Sequence, residues 1–553
     1  MADFLPGFGR FVGYHEQVSR IDIRIPIIDL FAGPGGLGEG FSRFPKEKKM
    51  KAFRIAVSIE KDPYAHKTLT LRSFFRQFPE GEAPENYYEY LRGESTQKEL
   101  FDAYPKQAKA AQNEAQLRTL GAPPAEGEEE ITKVIGDKIK GHDKWILIGG
   151  PPCQAYSLAG RSRMLGLVQQ EGESGGAFAK RKRKNVEKFE GDHRHTLYRE
   201  YLKIISDHSP PVFVMENVKG ILSARLGGEL IFPQILEDLG NPQKALGKPK
   251  TGPRYRIHSL VKRGEGLFAD DLEPKDYLIR AENYGIPQAR HRVILLGVRE
   301  DVDDSNLKML EEQPGPSVES VIGKLPKLAP GLSRGRKEKA CDELLSITRH
   351  SEWKGFLKNQ KYKEVADCMV KDLVRARKAP GRGSSFEITR TLPPSSWYAD
   401  ARLGGVPNHE TRSHIPQDLW RYFYCACFAK VHKVSPTLKN FPPFLLPNHK
   451  NVDAAILGQK FGDRFRVQCG GRYSTTITSH ISKDGHYFIH PDPRQFRSLT
   501  VREAARLQTF PDNFRFEGPR TQQFHQVGNA VPPRLAYQIA ERVGDLFNLI
   551  RLV

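Results

Sequence analysis

The 553-residue sequence has few cysteines: six, at positions 153, 341, 368, 425, 427 and 469, scattered and without a C-x-x-C pair. That spacing excludes the common zinc ribbon and thiol–disulfide motifs, and no metal is expected. Long apolar runs are also missing, since none approaches the ~18 residues that would span a bilayer. The opening residues, MADFLPGFGRFVGYHE, lack the basic-then-apolar pattern of a secretory leader. These absences point to a reduced, cytoplasmic setting without membrane contact, in which five of the six cysteines are small core residues. Acidic residues are in deficit: 86 Lys and Arg stand against 66 Asp and Glu, a formal net charge of +20. A surplus of this size suits a polyanionic partner whose counterions are released on binding.

What the sequence does carry is an alternation of buried-strand and helix patterns around residues 149–157, GGPPCQAYS. The apolar run 145–148 leads in, and two glycines and two prolines stop it in a rigid turn. Cys153 is thereby expected just past the carboxyl end of a strand, where open α/β sheets collect ligands, and a thiol there reads as a nucleophile. Upstream, the strand pattern IPIIDLF runs into AGPGGLGEGF, in which Gly33, Gly35 and Gly38 match G-x-G-x-x-G. A second strand over residues 53–59 ends at Glu60, about where such folds place an acid on ribose hydroxyls. Together they suggest a cofactor with an adenosine moiety, for which a nicotinamide dinucleotide fits as well as any other; a glycine turn without ligand is the lesser alternative.

Residues 99–118 show helical periodicity, 121–130 read as a loop, and apolar spacing returns over 131–139. The segment 159–192 is rich in glycine and charge, with the run Lys180-Arg181-Lys182-Arg183-Lys184; it reads either as a loop closing over a phosphate backbone or as a solvated charge run. A helix is expected over 197–206 and a strand over 211–215, ending on Glu216-Asn217. Gln288, Arg290 and Arg292 alternate before a strand at 293–298, and period-2 spacing would put all three on one side of an extended chain. From 300 to 497 the rhythm is lost and no repeat is present, which suggests a second domain. Residues 498–510 read as an amphipathic helix with Thr500 and Glu503 as a capping box. VGNAVPP follows at 527–533, then a last helix from Arg534 to about Ile550. The expected domains are 1–299, 300–497 and 498–553, the last returning to the first.

Taken in order, DLFAGPGG, GGPPCQAYS, MENV, QARHR, LTVREAARLQTFPD and QVGNAVPP resemble the motif series of the DNA cytosine-5 methyltransferases, over roughly residues 25–300 and 474–550. The resemblance implies an α/β, Rossmann-like S-adenosylmethionine-dependent methyltransferase domain with a second, smaller target-recognition domain. It makes Cys153 the thiol that adds to cytosine C6, because C5 is a poor nucleophile until such an adduct forms. It puts Glu216 at N3 and the exocyclic amine, in a role that calls for a protonated carboxyl. Asn217 would hold the strand tip, and Arg292 would meet O2 with Arg290 and Gln288 flanking. S-adenosylmethionine, leaving as S-adenosylhomocysteine, would lie against Phe31, Ala32, Gly33, Gly35 and Gly36, with Glu60 on the ribose. Pro152 and Leu197 would line that pocket, and Asn529 and Val531 would close it. Glu130 of Glu130-Ile131-Thr132 stands where the family has an aspartate for the adenine amine. Residues 408–412 (NHETR) and 475–478 (TTIT) resemble segments near the start and end of the recognition region.

The partners so implied are duplex DNA with its target cytosine flipped out, and a cognate restriction endonuclease in a bacterial, nucleoid-associated restriction–modification setting. A monomer is expected. The tRNA methyltransferase branch, which carries a CFT tripeptide and a compact second domain, is approached only by Cys427-Phe428-Ala429. A catalytically silent DNA-binding protein would have no need of Cys153, Glu216 and Arg292 together.

Overall fold

The computed structural model describes residues 24–45, 51–152, 176, 193–226, 229–249, 252–264, 272–333, 339–376, 381–389, 397–448, 452–457 and 462–549. Cys153 and the basic run 180–184 lie outside the described residues. The strands of the main sheet are β1 (Ile25–Leu30), β2 (Phe53–Glu60), β3 (Ala115–Leu117), β4 (Ile146–Gly149), β5 (Val212–Val218), β6 (Tyr255–His258), β7 (Leu278–Arg280) and β8 (His291–Arg299). Their order across the sheet is β3-β2-β1-β4-β5-β8-β6, with β7 also paired to β8. All pairs from β3 to β5 are parallel, whereas β8 runs antiparallel to β5, β6 and β7.

Continuous apolar runs make such a sheet because helices cover both faces. Alternate residues divide between the two: Ile27, Ile146 and Ile148 pack with Phe41, Leu535 and Ile539 on one face, and Ile28 and Leu147 pack with Leu197, Tyr201 and Ile205 on the other. The covering helices include α1 (Gly36–Ser42), α2 (Pro63–Arg76), α3 (Ile131–Ile139) and α4 (His193–His208). Chain order reverses between β1 and β4, which is where a doubly wound sheet opens a ligand crevice. Ile59, Leu30, Gly149 and Met215 stand level across four strands. Glu60, Phe31, Gly150 and Glu216 therefore stand at one height along the carboxyl edge of the sheet.

The helix expected over 99–118 is two helices, Gln97–Ala103 and Pro105–Glu114, followed by β3. Pro105 cannot continue the first helix but opens the second at its first position. β3, with three residues and a half-exposed Leu117, is too short to leave an apolar signature.

The middle of the chain has a core of its own around α5 (Lys363–Ala376) and α6 (Pro416–His432), filled by Trp353, Phe356, Met369, Phe423 and Phe441. Packing crosses both expected boundaries. Leu307 and Leu310 join the core of the sheet, while Val318 and Val321 pack with Leu499, Ala505 and Phe510.

The helix expected over 498–510 is shorter, α7 (Val501–Leu507). Thr500 caps it and Glu503 closes the reciprocal capping bond. Nor is it amphipathic, because every residue of it is buried. Its charges face protein: Arg497 grips both oxygens of Glu503 at 2.7 Å, and Arg506 grips both oxygens of Asp512. Arg502 donates to the carbonyls of Pro407, Pro511 and Phe514. Burial by itself would raise the Glu503 carboxyl, but the Arg497 guanidinium holds it well below the usual range. Two further helices, α8 (Arg520–Asn529) and α9 (Pro533–Leu546), complete the chain's return to the sheet.

Candidate active site at the carboxyl edge of the sheet

After β1 the chain turns sharply, with positive φ at Phe31 (57°), Gly33 (58°) and Gly35 (95°). The Gly33 N–H donates to Glu60 Oε2 at 2.7 Å, and Glu60 Oε1 accepts from the N–H groups of Lys61 and Asp62 at 2.8 and 2.7 Å. Glu60 thus braces the glycine turn, and Oε2, which accepts one hydrogen bond, keeps a lone pair for an incoming hydroxyl.

The glycines divide their work. Space beside Gly33 is open, whereas a Cβ on Gly36 would lie 2.3 Å from Val531 O and one on Gly40 would lie 2.4 Å from Ala536 Cβ. Gly36 and Gly40 let α1 lie against α9, and that contact brings Ala530 and Val531 up to the turn. Ala32 and Val531 are buried, while Asn529 is exposed with its amide near the His525 ring at 3.3 Å. Pro152 is half-buried beyond β4, and Leu197 is packed into the core behind it. Glu130 is exposed at the N-cap of α3 and makes no side-chain cap bond. An open glycine turn, a braced acid and a closing segment from α8 and α9 together fit an adenosine-bearing cofactor.

Asp29 lies in β1, just before the glycine turn. It is buried, neither carboxylate oxygen has a hydrogen-bond partner, and burial pushes its carboxyl up to about 8 against the pull of Arg76. Its chemical signal in the sequence is faint, a single acid in an otherwise apolar strand.

The second half of the site stands where β5 meets β8. Arg292 pairs in register with Val218 and Ile294 with Glu216, so Glu216 and Arg292 are diagonal neighbours across the two strands. Arg292 Nε lies 2.7 Å from Glu216 Oε1, an ion pair without hydrogen-bond alignment, and Arg292 Nη1 donates to His291 O. Asn217 Nδ2 reaches Pro151 O at 3.4 Å, and its Oδ1 accepts the Val218 N–H at 2.9 Å. This ties the tip of β5 to the proline turn that leads into Cys153.

Gly150 is a member of the site that sequence reasoning passed over. The doubled glycine was read as a strand stop, yet a Cβ on Gly150 would sit 2.8 Å from Glu216 Oε2. Gly150→Ala is expected to displace that carboxylate and lower turnover about 100-fold, on the scale set by ångström-level misplacement of a reacting group. Single-turnover kinetics check this, and unchanged kinetics would show that Glu216 shifts freely.

Gln288 and Arg290 are not brought to the same place as Arg292. The Arg290 N–H bonds back to Gln288 O at 2.8 Å, a tight turn that breaks the strand and voids the period-2 argument across it. Both side chains are fully buried. Gln288 accepts from the Ile477 N–H and donates to Leu507 O and Gln508 Oε1. Arg290 donates to Ile477 O at 2.8 Å and Gly528 O at 3.1 Å; burial and the charge of Arg292 hold its pKa well below the ordinary arginine value. They lash β8 to α7, α8 and the segment before residue 478, behind the site.

A family model described as C-5 cytosine-specific DNA methylase matches residues 122–242 and 273–545. The chain is 30% identical over 540 residues to the Type II methyltransferase M.Bpa9945I of Bacillus paralicheniformis, across 94% of this chain and 99% of that protein. It is 24% identical to the Type II methyltransferase M.DdeI of Desulfomicrobium norvegicum, across 95% of this chain and 90% of that one. It is 23% identical to the DNA (cytosine-5-)-methyltransferase M.ApeKI of Aeropyrum pernix, across 76% of this chain and 85% of that one.

Proposed function

Because the chain belongs to the C-5 cytosine-specific DNA methylases, we propose that it methylates C5 of a flipped-out cytosine in duplex DNA, through a covalent bond from Cys153 to C6. The observation that carries this reading is the Glu216–Arg292 pair, fastened by Asn217 to the proline turn that ends at Cys153. A pyrimidine presented to that pair meets a carboxyl for N3 and the exocyclic amine, and a guanidinium for O2.

In the proposed sequence Cys153 attacks C6 as thiolate, and Glu216 stabilises the charge that this pushes onto N3. C5, now enamine-like, takes the methyl group. Loss of the C5 proton then returns its electron pair to the ring and expels the Cys153 thiolate, so no oxidant or reductant is consumed. S-adenosylmethionine, when bound, supplies the methyl electrophile and leaves as S-adenosylhomocysteine. Phe31, Ala32, Gly33, Gly35 and Gly36 would hold it, with Glu60 at the ribose, Pro152, Leu197, Asn529 and Val531 around it, and Glu130 at the adenine amine. Gln288 and Arg290 act by fixing the start of β8.

The net charge of +20 supports a DNA partner, with the middle of the chain as target-recognition region. The Type II names of its relatives support a restriction–modification setting with a cognate endonuclease in a bacterial cytoplasm.

Incubation with methyl-labelled S-adenosylmethionine and duplex DNA, followed by digestion to nucleosides, should place the label in 5-methylcytosine. Cys153→Ser should abolish it while duplex binding persists. Label in tRNA or in N4-methylcytosine overturns the proposal.

A further inference from the structure

The middle lobe contains a group of side chains that methyl transfer does not use. On α5, Cys368 and Asp372 are one helical turn apart and so share a face. Cys427 meets them from α6. The Sγ atoms of the two cysteines and a carboxylate oxygen of Asp372 all lie within 4.8 Å of one another, the single such group of three among the described residues. We propose that Cys368, Asp372 and Cys427 form a binding site for one thiophilic divalent cation, of which Zn2+ is the representative.

Two soft thiolates and a carboxylate are a donor set that selects zinc over calcium or magnesium. Tetrahedral zinc holds such ligands roughly 3.3–3.8 Å from one another, so closing the present group needs small side-chain rotations and no movement of helices. Asp372 is fully buried, and its two oxygens differ. Oδ2 takes the Lys430 ammonium at 2.6 Å and the Cys368 thiol at 3.6 Å. Oδ1 is buried without any hydrogen bond, with Arg375 standing off at 3.7 Å. A cation at Oδ1 would give that oxygen the close ligand contact that Arg375 does not reach, while Lys430 keeps its grip on Oδ2.

The thiols are also unequal. Cys427 is buried and Cys368 only half-buried, which makes Cys368 the point of entry. Three protein ligands leave a fourth position for water. Because α5 and α6 carry the core of this lobe, the cation would pin its two main helices to each other.

The test uses the full-length protein purified under reducing conditions without chelator. Elemental analysis should find one zinc per chain, and Cd2+ titration should give a thiolate charge-transfer band that saturates at one equivalent. Cys427→Ser and Asp372→Asn should weaken Zn2+ binding roughly 100-fold, the upper range seen even for outer-shell changes, whereas Cys341→Ser should leave it unchanged. If Cys427→Ser fails to fold, Cys368→Ser at the half-buried position gives the same reading. Three results overturn the proposal: no zinc above background, a Cd2+ response equal in wild type and in Cys368→Ser, or two thiols missing from the reduced protein because Cys368 and Cys427 have joined as a disulfide.

Discussion

Glu216→Ala is expected to lower the rate of methyl transfer about 1,000-fold, the middle of the range for a positioned acid or base, while duplex affinity changes by no more than a few fold. Glu216 stands near the tip of β5, where among the described residues its one ion pair is with Arg292, and the glycine turn is braced by Glu60 instead. Cofactor affinity, measured by titration with S-adenosylhomocysteine, should therefore hold. Arg292→Ala is expected to cost a comparable factor. Because the two groups touch, their effects share a term, and the double variant should lose far less than the product of the two single losses. Independent, multiplicative losses in single-turnover kinetics would show that the pair does not act as a unit.

The second large effect is on stability in acid. His409, His414 and His490 are buried, and burial pushes them down to about 4, 3 and 4 respectively. Arg412 adds to the effect at His414, whereas Glu503 works against it at the other two. The hydrogen bonds of His409 fit a neutral ring: Nε2–H donates to Pro326 O at 2.8 Å and Nδ1 accepts from the Thr500 hydroxyl at 2.9 Å. An unfolded chain protonates each histidine near its ordinary pKa of about 6.5, whereas the native chain does not. Stability from these groups is complete above that value and is lost as the pH falls towards 4. Asp29 runs the other way, holding in the native state up to about 8 a proton that the unfolded chain surrenders near 4. Among these four groups, three protons gained against one leave a net two, which adds about 2.7 kcal/mol per pH unit to the slope between about pH 6 and 4.5. Denaturant unfolding at pH 7, 6 and 5 measures this, and His409→Gln should lower the slope by about 1.4 kcal/mol per pH unit. A flat profile would mean that these rings reach solvent.

Legibility from sequence followed the physics of each element. Strands β1, β4 and β5 could be read because a sheet covered on both faces demands unbroken apolar runs, and their ends carried the polar residues that became the site. β3 could not be read, since three residues with an exposed leucine carry no periodicity. At α7 the cap was legible and the surroundings were not: charges in a helix ordinarily mark solvent, and here Arg502 and Arg506 are satisfied by the distant carbonyls of Pro407 and Val321 and by Asp512 just past the helix. The alternation of Gln288, Arg290 and Arg292 misled for a local reason, a single turn between them. Gly150 was legible as a turn residue, but its clearance for Glu216 depends on a strand that lies elsewhere in the sequence. The group around Asp372 was beyond reach, because its two cysteines fall on separate helices.

The fit of α1 against α9 has a consequence in time as well as space. The ribosome delivers the glycine turn long before the backbone that closes over Gly36, which belongs to the approach to α9. Closing so long a loop is slow and comes late in folding. A nascent chain that ends before Val531 therefore carries a glycine turn without its cover. On the proposed function, methyl transfer waits until the ribosome has passed Val531.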